Sequence, residues 1–299
     1  MVALRPMWNN VYGNLIIQAY LCRSNASMRV TELKGLKMKK LLTLLIFLIA
    51  SAAWAGDMED GWAALDKKNY AVALSKFRLA AAKGNAVAQT MVGTMYDKGD
   101  GVVQDHAEAM KWYKLSAAQG NAGAQYSLGQ LYFNGRSVVR NYAEAMRWYE
   151  LSAAQGQPSA QFALGYMYVK GLVGVQNDAE AMKWFKLAAA QGHAYAQLNL
   201  GNMYGIAQDY SEAVKWFKLA AAQGDAQAQN NLGNMYGNGQ GVVQDYTRAH
   251  MWWNLAAVGG DKEGVRNRGI VSARMTPQQI VVAQKLAREC QARKFKNCD

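Results

Sequence analysis

One short pattern is written six times along this chain: Asn69–Gly84 (NYAVALSKFRLAAAKG), Asp105–Gly120 (DHAEAMKWYKLSAAQG), Asn141–Gly156 (NYAEAMRWYELSAAQG), Asn177–Gly192 (NDAEAMKWFKLAAAQG), Asp209–Gly224 (DYSEAVKWFKLAAAQG) and Asp245–Gly260 (DYTRAHMWWNLAAVGG). Successive copies begin 36, 36, 36, 32 and 36 residues apart. A fixed period of roughly 20–50 residues belongs to stacked arrays, in which a unit too small to bury a core alone closes it against its neighbours. The period also exceeds what one helix requires, so each unit holds two elements and a connection.

Both elements read as helices. The recurring segments, here called B, open on Asp or Asn. In four copies Glu follows three residues later (Asp105 and Glu108, Asn141 and Glu144, Asn177 and Glu180, Asp209 and Glu212), the spacing of a capping box. They close on Gly84, Gly120, Gly156, Gly192 and Gly224, where a left-handed residue ends a helix. Between them lie the A segments: Asn85–Tyr96, Asn121–Tyr132, Gln157–Tyr168, His193–Tyr204 and Asp225–Tyr236. Their recurrent positions, in one copy Ala124, Leu128, Leu131 and Tyr132, share one helical face. Gly93, Gly129, Gly165, Gly201 and Gly233 recur inside them and predict close backbone contact between neighbouring helices. The 32-residue copy loses its residues from the glycine-rich A-to-B connection, as a loop deletion should.

Composition fits this picture. The chain is 51% apolar and 18% charged, too apolar to stay disordered. Its formal charge of +12 is confined to the ends: residues 1–55 hold 7 basic and 1 acidic side chains, residues 261–299 hold 9 and 4, and the block between holds 17 and 16. A neutral array offers no basic groove for nucleic acid. Met38-Lys39-Lys40 precedes the apolar run Leu41–Ala53, which ends in Ala53-Trp54-Ala55, the layout of a secretory signal peptide. Its thirteen residues fall short of the about 20 a spanning helix needs, so no stable membrane insertion is expected once it is removed.

The pattern A-x-A-Q-x-x-L-G-x-M-Y, a Gly-x-Gly-Val loop, and D-Y-x-x-A-x-x-W-x-x-x-A-A-x-x-G resembles the Sel-1-like repeat, a relative of the tetratricopeptide repeat, over about residues 56–290. The resemblance implies an all-α fold, a right-handed α/α superhelical solenoid of stacked antiparallel helix pairs that serves as an adaptor for protein complexes. The expected organisation is an extension at 1–37 that is non-native or unstructured, a signal peptide at 38–55, an N-terminal capping helix pair at 56–84, five repeats at 85–260, and C-terminal capping helices with a basic tail at 261–299.

No catalytic constellation is found. His106, His193 and His250 fall at three different places in the repeat, share no metal-ligand spacing and are expected at the surface. The aromatic pairs Trp112/Tyr113, Trp148/Tyr149, Trp184/Phe185, Trp216/Phe217 and Trp252/Trp253 recur too regularly to be a binding stripe and read as core. Ser116 and Ser152 stand where other copies have Ala188 and Ala220, as packing residues. In an oxidising compartment Cys290 and Cys298 are expected to pair; the alternative is a buried thiol on the last helix and an exposed one in the tail. The basic tail serves either solubility of the array's end or attraction to an acidic partner.

In arrays of this kind the A helices line the concave side, so A positions that vary between copies off the core face are the recognition candidates. They are Thr94, Tyr126, Gln130, Phe162, Tyr166, Asn199, Asn202, Asn230, Asn231 and Asn234. The asparagines offer both donors and acceptors to an extended peptide backbone. No Lys or Arg falls within the A segments, which speaks against the clamp for a peptide's terminal carboxylate used by some tetratricopeptide relatives. The reading is a periplasmic or secreted interaction scaffold, without catalysis, cofactor or metal, that takes a protein or peptide partner on its concave face. The alternative is a protein that binds or hydrolyses β-lactams or cell-wall fragments, like cysteine-rich secreted members of the family; those carry a disulfide in each repeat, and this chain has none there.

Overall fold

The computed structural model describes residues 56–298, in which every regular element is a helix. The extension and the signal peptide, 1–37 and 38–55, lie outside the described residues. Helix α1 covers 56–66. The B helices are α2 (Tyr70–Ala82), α4 (His106–Ala118), α6 (Tyr142–Ala154), α8 (Asp178–Ala190), α10 (Tyr210–Ala221) and α12 (Tyr246–Val258). The A helices are α3 (Ala86–Lys98), α5 (Ala122–Asn134), α7 (Pro158–Lys170), α9 (Ala194–Ile206) and α11 (Ala226–Asn238), and the chain closes with α13 (Lys262–Ser272) and α14 (Pro277–Ala292). Each A helix packs most closely on the B helix that follows it.

Local chemistry sets these boundaries, with two departures from expectation. The A helices run past their tyrosine, because Tyr96-Asp97-Lys98 carries no stop signal; the helix ends only at left-handed Gly99, as its counterparts end at Gly135, Gly171 and Gly239. The capping boxes of the B helices are half made. Asp105 accepts from the Ala107 and Glu108 N–H groups, but Glu108 turns outward to Lys111 at 2.7 Å. The return bond is not needed, since the Asp105 N–H already donates to the Tyr96 carbonyl at 2.9 Å, as Asn141 does to Tyr132 and Asn177 to Tyr168. Only Thr276 and Gln279, at the start of α14, complete the reciprocal pair among the described helices.

The recurrent A-helix glycines are chiefly seats for rings; close backbone approach is seen at Gly93, where a Cβ would also lie 3.2 Å from the Ala109 carbonyl oxygen. A Cβ built on Gly93 would lie 2.7 Å from Tyr113; on Gly129, 2.5 Å from Tyr149; on Gly165, 2.6 Å from Phe185; on Gly201, 2.5 Å from Phe217; and on Gly233, 2.5 Å from Trp253. Gly61 holds Phe77 in the same way. The second ring of each aromatic pair therefore locks a B helix to the A helix before it. The first ring turns to the preceding repeat: Trp148 packs on the α4/α5 core, Trp184 on the α6/α7 core and Trp216 on the α8/α9 core.

A buried polar ladder runs beside the rings, and the sequence reading did not single it out. Gln89, Gln125, Gln161, Gln197 and Gln229 are buried. Each donates to a carbonyl of the preceding B helix: Ala81, Ala117, Ala153, Ala189 and Ala221 respectively. The first four accept in turn from Gln119, Gln155, Gln191 and Gln223 at 2.7–2.9 Å. A slipped stack would leave these amides unpaired in the core, so the ladder specifies register. Its signal was the glutamine recurring on the core side of every A segment. Ser116 and Ser152 are also buried, and donate to the Ala86 and Ala122 carbonyls of the preceding A helix.

The histidines depart from a common surface role. His106 pairs with Asp97 at 2.8 Å. His193 is half-buried, caps α9 through its Nδ1 and stacks on Phe162 with centroids 4.8 Å apart. His250 is buried, with an unpartnered Nδ1, where the other B helices carry Leu74, Met110, Met146, Met182 and Val214. Burial, with a smaller contribution from Arg268, lowers its pKa below the usual 6.5, so the folded state keeps it neutral. The unfolded chain binds that proton more readily, so stability falls as pH drops below about 6.5. His250→Met is expected to make that decline shallower; urea midpoints at pH 7.5 and pH 5.0 measure it, and equal declines in the two proteins would contradict the assignment.

Candidate functional site

Between the first two A helices lies a cavity of about 240 Å³ lined by residues of α3, α4 and α5 and the following loop. Thr94, Tyr126 and Gln130, three of the sequence candidates, line it together with Tyr113, Ser127, Asp97, Lys98 and Arg136. The Tyr113 hydroxyl donates to Thr94 Oγ1 at 3.2 Å, and Gln130 Nε2 donates to the Tyr126 hydroxyl. Burial raises both tyrosine pKa values, so their hydroxyls stay neutral and keep their protons for hydrogen bonding. Asp97 is held by His106, whereas Lys98 and Arg136 are exposed at the rim. The helix extension past Tyr96 thus corrects the expectation of cation-free A helices: Lys98 and Lys170 lie in the last turns of α3 and α7.

The remaining candidates fall into two further groups. Phe162 and Tyr166 belong to an aromatic surface on α5, α7 and α9. Phe162 stacks on His193 and lies 6.2 Å from Tyr195, while Tyr166 meets Phe133 at 6.3 Å and has Lys170 over its ring at 5.9 Å. The asparagines are largely committed within the fold. Asn199 donates to its own helix at the Tyr195 carbonyl, and Asn231 donates to Asn202 at 3.0 Å. Asn230 and Asn234 both accept from Asn267 of α13 at 3.3 Å, and Asn234 also accepts the Trp253 indole N–H at 3.2 Å. Of the asparagines, Asn202 is the exposed one.

Among the described residues no group of three or more His, Cys, Asp or Glu side chains is placed to hold a metal, and no helix is long and apolar enough to cross a membrane. Cys290 and Cys298 form a disulfide outside the repeats.

The sequence model of the Sel1 repeat matches five consecutive stretches, 86–121, 122–157, 158–193, 194–225 and 226–261, each an A helix with the B helix after it. The chain belongs to the Sel1 repeat family. A Sel1 repeat protein from Oxalobacter formigenes has 30% identity with this chain and matches 78% of it and 99% of its own length, with a TM-score of 0.68. A protective antigen present in uropathogenic Escherichia coli strains, displaying an SLR fold, has 29% identity over 77% of this chain, with a TM-score of 0.53. This chain spans 58% of that antigen's length. No curated protein matches it. Sel1 repeat arrays are commonly protein-interaction scaffolds and typically non-catalytic. In Sel1 terms the cavity belongs to the first two repeats.

Proposed function

We propose that this Sel1 repeat protein is an exported interaction scaffold that holds an extended, acidic segment of a protein partner along its A-helix face, anchored in the α3/α5 cavity. The observation that carries this reading is the meeting of three variable A-helix positions with two cations, Lys98 and Arg136, around one recess. Neutral hydroxyl and amide donors from Tyr126, Ser127 and Gln130 suit a carboxylate or a peptide carbonyl, and the cations favour the former; Thr94 spends its own hydroxyl proton on the Thr90 carbonyl. The aromatic surface of Phe162, Tyr166 and Tyr195 continues beside it and suits apolar side chains of the same segment. Export rests on the leader at 38–55 and agrees with a disulfide in the mature fold.

The test is affinity capture from an envelope extract with the mature protein and with a Lys98→Glu/Arg136→Glu variant. Both side chains are exposed, so thermal unfolding should not move. Recovery of the partner is expected to fall at least about tenfold in the variant; equal recovery by the two proteins refutes the cavity as anchor. Mass spectrometry of the processed protein should find an N-terminus near Gly56, and a mature chain that retains the leader refutes export by this route.

A further inference from the structure

Helix α13 is a sixth A helix whose ring seat is empty. Its N-cap is Asp261, and Gly269 follows at the same interval that separates Asp225 from Gly233 and Asn121 from Gly129. Six earlier seats, at Gly61, Gly93, Gly129, Gly165, Gly201 and Gly233, each hold a ring within 2.7 Å of where a Cβ would be. At Gly269 nothing lies within 4 Å. The reason is topological. The next helix, α14, does not stack on α13 as a B helix should; it packs on α12. Met251 and Leu255 of α12 are buried accordingly, where Lys111 and Leu115 of α4 are exposed.

The open seat sits in an apolar and basic surface. Val265 and Ile270 are 48% and 53% exposed, large values for such side chains on a helix whose opposite face, Gly264 and Val271, is buried against the array. Residues 261–274 carry Lys262, Arg266, Arg268 and Arg274 against Asp261 and Glu263, with Lys262, Arg266 and Arg274 exposed and Arg266 3.5 Å from Glu263, so this end keeps a net positive charge. We propose that this end of the array is a docking site for an acidic amphipathic helix of another protein, which lays an aromatic ring on Gly269 and completes the sixth repeat. The ring supplies the interaction that every internal B helix makes, Val265 and Ile270 cover its apolar flank, and the basic rim favours an acidic helix. This surface is separate from the α3/α5 cavity, so either assignment can fail without the other.

The probe is a 16-residue peptide, NYAEAMEWYELSAAQG, the α6 segment carrying Arg147→Glu, titrated calorimetrically into the mature protein. Saturable one-to-one binding is expected, weakened at least about tenfold by Gly269→Leu in the protein, by Tyr149→Ala in the peptide, and by restoring Arg147. Gly269→Leu fills an exposed helical glycine with a good helix former, so its thermal unfolding should hold or rise and loss of folding does not confuse the result. Absence of saturable binding, or equal binding to the Gly269→Leu protein, overturns the proposal. Self-association of the wild type that Gly269→Leu abolishes, seen by sedimentation, also overturns it and assigns the seat to a second copy of this chain.

Discussion

Phe185→Ala is expected to lower the unfolding free energy by about 3–5 kcal/mol, the range for removing a fully buried aromatic side chain. Phe185 has no exposed surface and fills the space between Gly165 of α7 and the α8/α9 core. Truncation leaves a cavity that rigid helices on both sides cannot close. Gly165→Ala tests the same contact from the other side. Alanine gains about 1 kcal/mol in helix propensity over glycine, but its methyl would stand 2.6 Å from two ring carbons of a side chain with no room to retreat. Overpacking costs about 1–3 kcal/mol, so the steric term wins and the variant loses stability. In the Phe185→Ala background the ring is gone, and Gly165→Ala should become neutral or stabilising. Chemical denaturation of the four proteins gives the coupling directly. At Gly269, where the space is open, the same Gly→Ala change is expected to stabilise by about 0.5–1 kcal/mol.

Loss of the Cys290–Cys298 disulfide is expected to cost about 2–3 kcal/mol, from the entropy of so short a loop. The consequence should be local. The loop contains Lys294, Phe295 and Asn297 at φ values of 53°, 62° and 51°, left-handed backbone that non-glycine residues adopt at a cost of about 1–3 kcal/mol each. Besides backbone hydrogen bonds from Lys294, Phe295 and Lys296 to the Gln291, Cys290 and Arg293 carbonyls, it is held by the bond and by Phe295, which packs on the C-terminal core near Gly224. Without the bond, the ring and these partly solvent-exposed hydrogen bonds do not offset three unfavourable residues, and the tail should leave the surface. Trypsin should then cut after Arg293, Lys294 and Lys296 in a Cys298→Ser variant and in the reduced protein, while the oxidised protein resists. Equal cutting in all three would show that the tail does not depend on the bond.

The repetition made the architecture readable. Caps and glycines mark both ends of the B helices, and the loop deletion in the 32-residue copy marks where helices are not. The A-helix ends were harder, because the true stop, Gly99 and its equivalents, looked like one glycine among several in the connection. Gly93 and its counterparts were visible as recurrent, but a sequence does not say whether a missing side chain admits a backbone or a ring. The glutamine ladder escaped because a polar residue reads as surface until its partners are known, and those partners lie in other repeats. His250, expected at the surface, carried a sign of its burial, since the aligned residues Leu74, Met110, Met146, Met182 and Val214 are all apolar. Periodicity has nothing to say about α14, which leaves the repeat and folds back on α12. Among the recognition candidates, Thr94, Tyr126 and Gln130 meet at one cavity, while Asn230 and Asn234 are engaged by Asn267 of α13, which continues the A-helix register beyond the fifth repeat.

The most direct test is removal of one whole repeat, residues 158–193. Gly165 leaves together with its ring Phe185, and Gln161 together with Gln191, so every remaining seat and rung keeps a partner across the new junction. A stacked array predicts a shortened protein of unchanged helicity per residue that unfolds in one cooperative transition at a lower temperature. An unfolded or aggregated product, with helicity lost throughout the chain, would contradict it.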